Sequence, residues 1–320
     1  MSDFYKDKRV VVTGGTGFVG GYFVEALLEL GAKVVVPVHE RPMSIAPDRV
    51  ETIPCDLENE EDAMRVCEGA DYLLHCAGPV GAAGMGPEKL MHGISKGMSL
   101  FLKTLHAAWA QKVGRVLIFG SSTGYPALDH PVKEEEFWTG DVYPGYLGYG
   151  WMRRYMERAG EFMQRDSDTD VTIIRPVAIY GPRDNFNPKT CHVIPALINR
   201  AVAGEEPYVV WGKSDVVRDF LHVKDFVRGC LLAMEKLPGA DPVNIAYGKE
   251  TTVGEVVEGI LKAAGREDAT VEYDETKPTA LPFRMADTTK AFEELGFKPT
   301  ISLEEGLADT VNWYKNQGDK

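Results

Sequence analysis

The stretch Thr13-Gly14-Gly15-Thr16-Gly17-Phe18-Val19-Gly20 constrains this chain most, because it sits between an apolar run, 9–12, and an amphipathic run, 18–30. Three glycines at this spacing between a strand and a helix meet a specific need. Gly14 permits a tight turn, Gly17 lets backbone approach a pyrophosphate, and Gly20 lets the helix pack close to its strand. The exposed N–H groups at the start of such a helix then receive phosphate oxygens. The segment is therefore read as a dinucleotide-binding turn.

A chain of 320 residues is long for one ordinary domain, which favours a large α/β unit with a smaller appendage. The net charge of −13 is spread along the sequence and argues against nucleic acid or an anionic membrane as partner. No run approaches the roughly 20 apolar residues that span a bilayer. The start Met1-Ser2-Asp3-Phe4-Tyr5-Lys6 has no signal-peptide architecture, so a cytoplasmic protein is expected. The five cysteines, Cys55, Cys67, Cys76, Cys191 and Cys230, show no paired spacing and read as reduced thiols, with no metal site.

Short β-branched runs at 9–13, 33–38, 50–53, 71–76, 115–119 and 171–175 alternate with runs of helical periodicity at 59–67, 89–111 and 148–165. Alternation of this kind predicts a parallel sheet with long crossovers, a doubly wound α/β fold of Rossmann type. Ligands of such sheets bind beyond the carboxyl ends of the strands, which directs attention to the residues just after Cys76, Phe119 and Arg175. Past about Tyr180 the pattern turns to short mixed elements with Gly-Pro, Asn-Pro and Lys-Pro punctuation, and a smaller α/β substrate-binding lobe is expected. The expected division is 1–178 and 179–320, with 223–246 returning to the first unit.

Several segments together resemble the extended short-chain dehydrogenase/reductase family of NAD(P)-dependent nucleotide-sugar epimerases and dehydratases, most closely its GDP-L-fucose synthase branch. They are TGGTGFVG at 13–20, Asp56-Leu57, HCAG at 75–78, GSSTGYP at 120–126, YGPRDNF at 180–186, CHVIPALI at 191–198, VVWG at 209–212 and VRDFLHVKD at 217–225. The resemblance implies a nucleotide-diphospho-sugar substrate, with a GDP-hexose favoured, hydride exchange between nicotinamide and sugar C4, and a homodimer formed through 89–111 and 148–165. It places Ser121 and Tyr149 on the oxygen undergoing redox and puts Gly14, Gly17, Phe18, Val19, Gly20, Asp56, Leu57, Ala77 and Gly78 on the cofactor. In the second lobe it puts the base on Trp211 and the diphosphate on Arg218 and Arg284.

Departures from the pattern are informative. Arg153 stands where the family's Tyr-x-x-x-Lys motif has lysine; four residues from Tyr149, it lies on the same helical face, where it can supply charge to the tyrosine and donors to the cofactor. Thr123 occupies the position of a glutamate in dehydratases and of a cysteine in fucose synthases, and simple 4-epimerases often carry threonine there. His192 keeps the histidine that, with that cysteine, moves protons at C3 and C5, and an imidazole suits that work. Ile94 and Ala178 replace asparagines, so their hydrogen bonds are lost.

Enzymes using NAD place an acid at the end of the second strand, but that position here is Val38, followed by His39, Glu40 and Arg41. His39 and Arg41 would receive the 2′-phosphate of NADP; Glu40 would serve NAD if the turn shifts by a residue or two. The expected function is thus a nucleotide-diphospho-sugar epimerase/reductase using NADP, with NAD as the alternative. Its rivals are a redox-neutral 4-epimerase holding NAD permanently and a non-catalytic dinucleotide-binding regulator.

Overall fold

Strands β1 (Arg9–Thr13), β2 (Lys33–Val38), β3 (Glu51–Pro54), β4 (Tyr72–His75), β5 (Arg115–Phe119) and β6 (Asp170–Pro176) form one parallel sheet in the computed structural model, which describes residues 3–79, 86–277 and 281–317. Helices α1 (Phe18–Glu29), α2 (Glu60–Cys67), α3 (Pro87–Ala110) and α4 (Leu147–Asp166) make the crossovers. Buried valines, leucines and isoleucines alternate to both faces of the strands, as a sheet covered on two sides requires. The third strand and the second helix each begin one residue later than their periodicity predicts. Asn59 is the cap of α2, its side chain accepting from Asp62 N–H at 3.1 Å.

Beyond β6 the chain continues through β7 (Ala178–Tyr180), α5 (Val193–Ala203), β8 (Tyr208–Trp211), β9 (Val217–Arg218) and β10 (Phe220–His222). It then passes through α6 (Val223–Lys236) to β11 (Val243–Ile245), which pairs in parallel with β6. The sheet order is β11-β6-β5-β4-β1-β2-β3, with the reversal between β4 and β1. Such a reversal opens a crevice at the carboxyl ends of those two strands.

The last elements are β12 (Thr251–Thr252), α7 (Val253–Ala264), β13 (Val271–Asp274), β14 (Phe283–Arg284), α8 (Thr289–Leu295) and α9 (Leu303–Lys315). Two buried clusters flank the large sheet, one with Phe23 of α1 and Phe226 of α6, the other with Phe101 of α3 and Met156 of α4. A third, containing Ile198, Tyr208, Val257 and Leu307, is the core of the second lobe. In that lobe β9 lies between β12 and β14, and β8 pairs with β13. No helix among the described residues is long and apolar enough to cross a membrane.

Candidate functional site

The glycine turn lies at the mouth of the crevice. Gly14 has φ +67°, and a methyl on it would come within 2.8 Å of Cys76 O, so both conformation and space demand glycine. A methyl on Gly20 would overlap Gly14 O, so this glycine packs α1 against the turn itself rather than against the strand. Gly17 caps α1 without any side-chain hydrogen bond, which leaves the first N–H groups, those of Phe18 and Val19 included, for an external acceptor. The cradle therefore fits a dinucleotide pyrophosphate.

Around the cradle, Thr13 Oγ1 accepts from Ala77 N–H at 3.1 Å and meets His75 Nδ1 at 3.3 Å, fixing the end of β4. A side chain on Gly78 would meet only open space, which marks this backbone as accessible. Asp56 Oδ1 accepts from Glu58 N–H at 2.9 Å, and Leu57 is buried beside it. His39 and Arg41 are exposed in the loop after β2.

At the end of β5, Ser121 Oγ accepts from Thr123 Oγ1 at 2.9 Å and from Thr123 N–H at 3.2 Å. Arg153 on α4 donates to Phe119 O at 3.1 Å. Tyr149, one turn before it, turns its hydroxyl toward α3, where Gly93 leaves room; a methyl there would lie 2.5 Å from the hydroxyl oxygen. Ile94, beside Gly93, packs against Gly148 at the start of α4. Burial pushes the Tyr149 phenol above its ordinary value, and Arg153 opposes this without overcoming it. The charge expected of Arg153 is present, but desolvation outweighs the single cation. Burial also lowers Arg153, and together with Arg153 it holds the buried His75 at about 3, hence neutral.

The second lobe supplies a different kind of group. Arg218 and Arg284 are register partners on the parallel strands β9 and β14, which places both on one face. Arg218 donates to its neighbour Val217 O at 2.7 Å, and Arg284 reaches Tyr125 O at 3.4 Å. Arg284 is only 6% exposed, its Nε and Nη1 are buried without partners, and burial pulls it down to about 10. Neither guanidinium has a carboxylate partner among the described residues; the ring of Tyr146, three residues before Tyr149, lies near both. Two stacked cations without a counter-charge are costly unless an anion completes them. Because Tyr125 closes the loop that begins at Ser121, Arg284 touches the end of that loop.

Trp211 stands at the end of β8, 47% exposed, with Arg200 5.7 Å and Lys277 5.9 Å from its ring. His192 is the exposed cap of α5, and its charge is felt by the buried Asp184, whose carboxyl burial raises to about 6. Asp184 and Tyr146 carried no signal of their own in the sequence, since acids and tyrosines are common in loops. Ala178, in β7, pairs with Phe220 and leaves the lobe junction apolar.

A parallel sheet with a glycine cradle at its switch point and a Ser-Thr-Tyr-Arg group at the ends of its strands defines a protein of the Rossmann-type nucleotide-cofactor class. The chain belongs to the NAD dependent epimerase/dehydratase family, whose profile matches residues 10–246. It is 30% identical to GDP-L-fucose synthase 1 of Arabidopsis thaliana over 98% of this chain and 94% of that protein. It is 29% identical to the dTDP-4-dehydro-6-deoxy-D-allose reductase of Streptomyces bikiniensis, over 98% of both. Its structure superposes on a UDP-glucose 4-epimerase of Thermotoga maritima, solved with UDP-glucose, at a TM-score of 0.86 and 26% identity, covering 97% of this chain and 99% of that one.

Proposed function

We propose that the protein is an NAD(P)-dependent nucleotide-diphospho-sugar epimerase/reductase acting at sugar C4. The register pair of half-buried Arg218 and buried Arg284, without a carboxylate partner among the described residues, carries this reading, because two neighbouring guanidinium forks match the two phosphates of a nucleoside diphosphate. Trp211 offers an exposed face for the base, and the likeness to a GDP-L-fucose synthase supports a GDP-hexose. The bound nicotinamide supplies or takes the hydride. Tyr149, its phenol protonated at neutral pH, exchanges a proton with the C4 oxygen, and Ser121 holds that oxygen. Thr123 keeps the Ser121 hydroxyl aimed. His192, the histidine kept from the fucose synthase pattern, is proposed as an acid/base for a proton at C3 or C5. Incubating the protein with NADPH and 4-keto, or with NADP+ and 4-hydroxy, GDP-, UDP- and dTDP-hexoses, and following absorbance at 340 nm with product analysis alongside, tests the reading; no turnover of any of them overturns it.

The threonine at 123 and the likeness to a UDP-glucose 4-epimerase favour a second reading, redox-neutral 4-epimerisation. It is told apart by product formation without net NADPH consumption.

For the cofactor we propose NADP. His39 and Arg41 stand exposed past the end of β2, and Val38 holds the strand-end position where enzymes using NAD carry an acid. Arg41→Glu is expected to weaken NADPH about tenfold or more while sparing NADH, from loss of a charge-assisted phosphate contact. Fluorescence titration with both nucleotides reads this directly, and an unchanged ratio removes Arg41 from the site.

A homodimer is proposed through α3 and α4. Met91 and Leu102 on α3 and Leu147, Trp151, Tyr155 and Phe162 on α4 are large apolar side chains left exposed. Trp151, Tyr155 and Phe162 share one helical stripe, so a second copy would cover them together. The double change Trp151→Glu and Tyr155→Glu is expected to yield monomers in light scattering. A wild-type monomer at micromolar concentration would end the proposal.

A further inference from the structure

Tyr149, Arg153 and Glu157 follow one another at four-residue intervals, so they form one row along α4, facing the end of β5. A lone i, i+4 pair of arginine and glutamate on a buried face ordinarily joins. Here it does not. Glu157, 0% exposed in its side chain, is gripped by Arg175 of β6: Nη2 donates to Oε2 at 2.8 Å and Nε to Oε1 at 3.0 Å. Arg175 is itself fastened, donating through Nη1 to Tyr125 Oη at 3.1 Å and Glu134 O at 2.7 Å, with its guanidinium 3.7 Å from the Phe137 ring centre. Tyr125 in turn donates to Asn244 Oδ1 at 2.7 Å. The clasp presses Glu157 against Gly120, where a methyl would overlap Oε1.

We infer that Arg175 is a positioning residue for Tyr149: by holding Glu157 in a fork it keeps that carboxylate off Arg153, so the Arg153 charge acts on the tyrosine undivided. This rests on the assignment of Tyr149 as the proton-exchanging group. Charged neighbours on every packed element agree with it. Arg153 donates to Phe119 O at 3.1 Å and lies near Tyr149 and the neutral His75 of β4, while among the described residues the hydrogen bonds of Glu157 go to Arg175. Glu157 faces Arg175 and, on its own helix, Arg154, Arg158 and Glu161. Arg154 is occupied by the carbonyls of Gly124, Phe137 and Gly140, and Arg158 by Glu161. Without Arg175, Glu157 is left with Arg153 as its available cation, one turn away. A pair formed there would cancel the field at Tyr149 and raise its pKa.

The test is the ionisation of Tyr149 in cofactor-free protein, read from phenolate absorbance as the difference between each variant and the same variant carrying Tyr149→Phe, together with the alkaline limb of kcat/KM. Arg175→Gln is expected to move both upward by about one unit, while the double variant Arg175→Gln with Glu157→Gln returns both to the wild-type position. An ion pair that merely braces the fold would lower yield and melting temperature without moving the limb in the single variant alone. Arg175→Lys keeps the charge but cannot form the fork, and its smaller upward shift decides the matter where the glutamine variant does not fold. Unshifted Tyr149 ionisation in the folded Arg175 variants overturns the inference. If instead Tyr149→Phe leaves turnover intact, the catalytic assignment fails, while the absorbance titration still measures the electrostatic arrangement.

Discussion

Tyr149→Phe is expected to lower kcat by about 10²–10⁴-fold, the usual contribution of a positioned proton donor, and to leave dinucleotide affinity nearly unchanged. The hydroxyl lies over Gly93, and among the described residues no hydrogen bond of the fold involves it, so its removal should cost little stability. The phenol's raised pKa fixes the sign of the pH response. A donor works while protonated, so activity should hold through neutral pH and fall only as pH rises past the tyrosine's own ionisation. Steady-state kinetics across pH, with NADPH binding measured alongside, checks both parts. Wild-type turnover in the phenylalanine variant would remove Tyr149 from the reaction.

Arg284→Met should act on substrate rather than on chemistry. Removing one partner of a buried charge-assisted contact costs about 2–5 kcal/mol, which is about thirtyfold or more in affinity for a nucleoside diphosphate. Because Arg284 is buried with two nitrogens unpartnered, methionine relieves a desolvated charge and the apo protein should melt no lower, and even higher. Weaker binding joined to undiminished stability is the signature of a cation kept for its ligand. Calorimetry with GDP and UDP against thermal melts separates this from a structural role, in which both would fall together.

Much of the architecture was legible because a parallel sheet buried on both faces writes itself as short β-branched runs between helical periods. The glycine turn was legible for a stricter reason, since Gly14 and Gly20 sit where any side chain would collide with backbone. Residues of the proposed catalytic group could be named one at a time, yet their relations could not. That Arg218 and Arg284, 66 positions apart by number, stand in register depends on β9 and β14 pairing, and strands of two residues leave no periodicity to read. The row Tyr149, Arg153, Glu157 was open to inspection as an i, i+4 series. Its meaning was not, because helical spacing offers Glu157 both Arg153 and Arg154, whereas the fold gives it to Arg175. Ser121 bonded to Thr123, and the Tyr149 hydroxyl turned toward Gly93, are likewise choices made by packing.

The path of the chain through β11 makes the two lobes inseparable by any single cut. The chain leaves the large sheet after β6, comes back as α6 and β11 to complete the sheet's edge, and leaves again after Ile245. Asp219, just before β10, fastens the later crossing by accepting from Tyr247 N–H at 2.8 Å and Gly248 N–H at 3.1 Å. A protein joined by one tether can swing open like a book; one stitched across its cleft in both directions is closer to a laced seam. The spacing between the proposed cofactor cradle and the arginine pair is then set when the chain folds rather than when a ligand arrives.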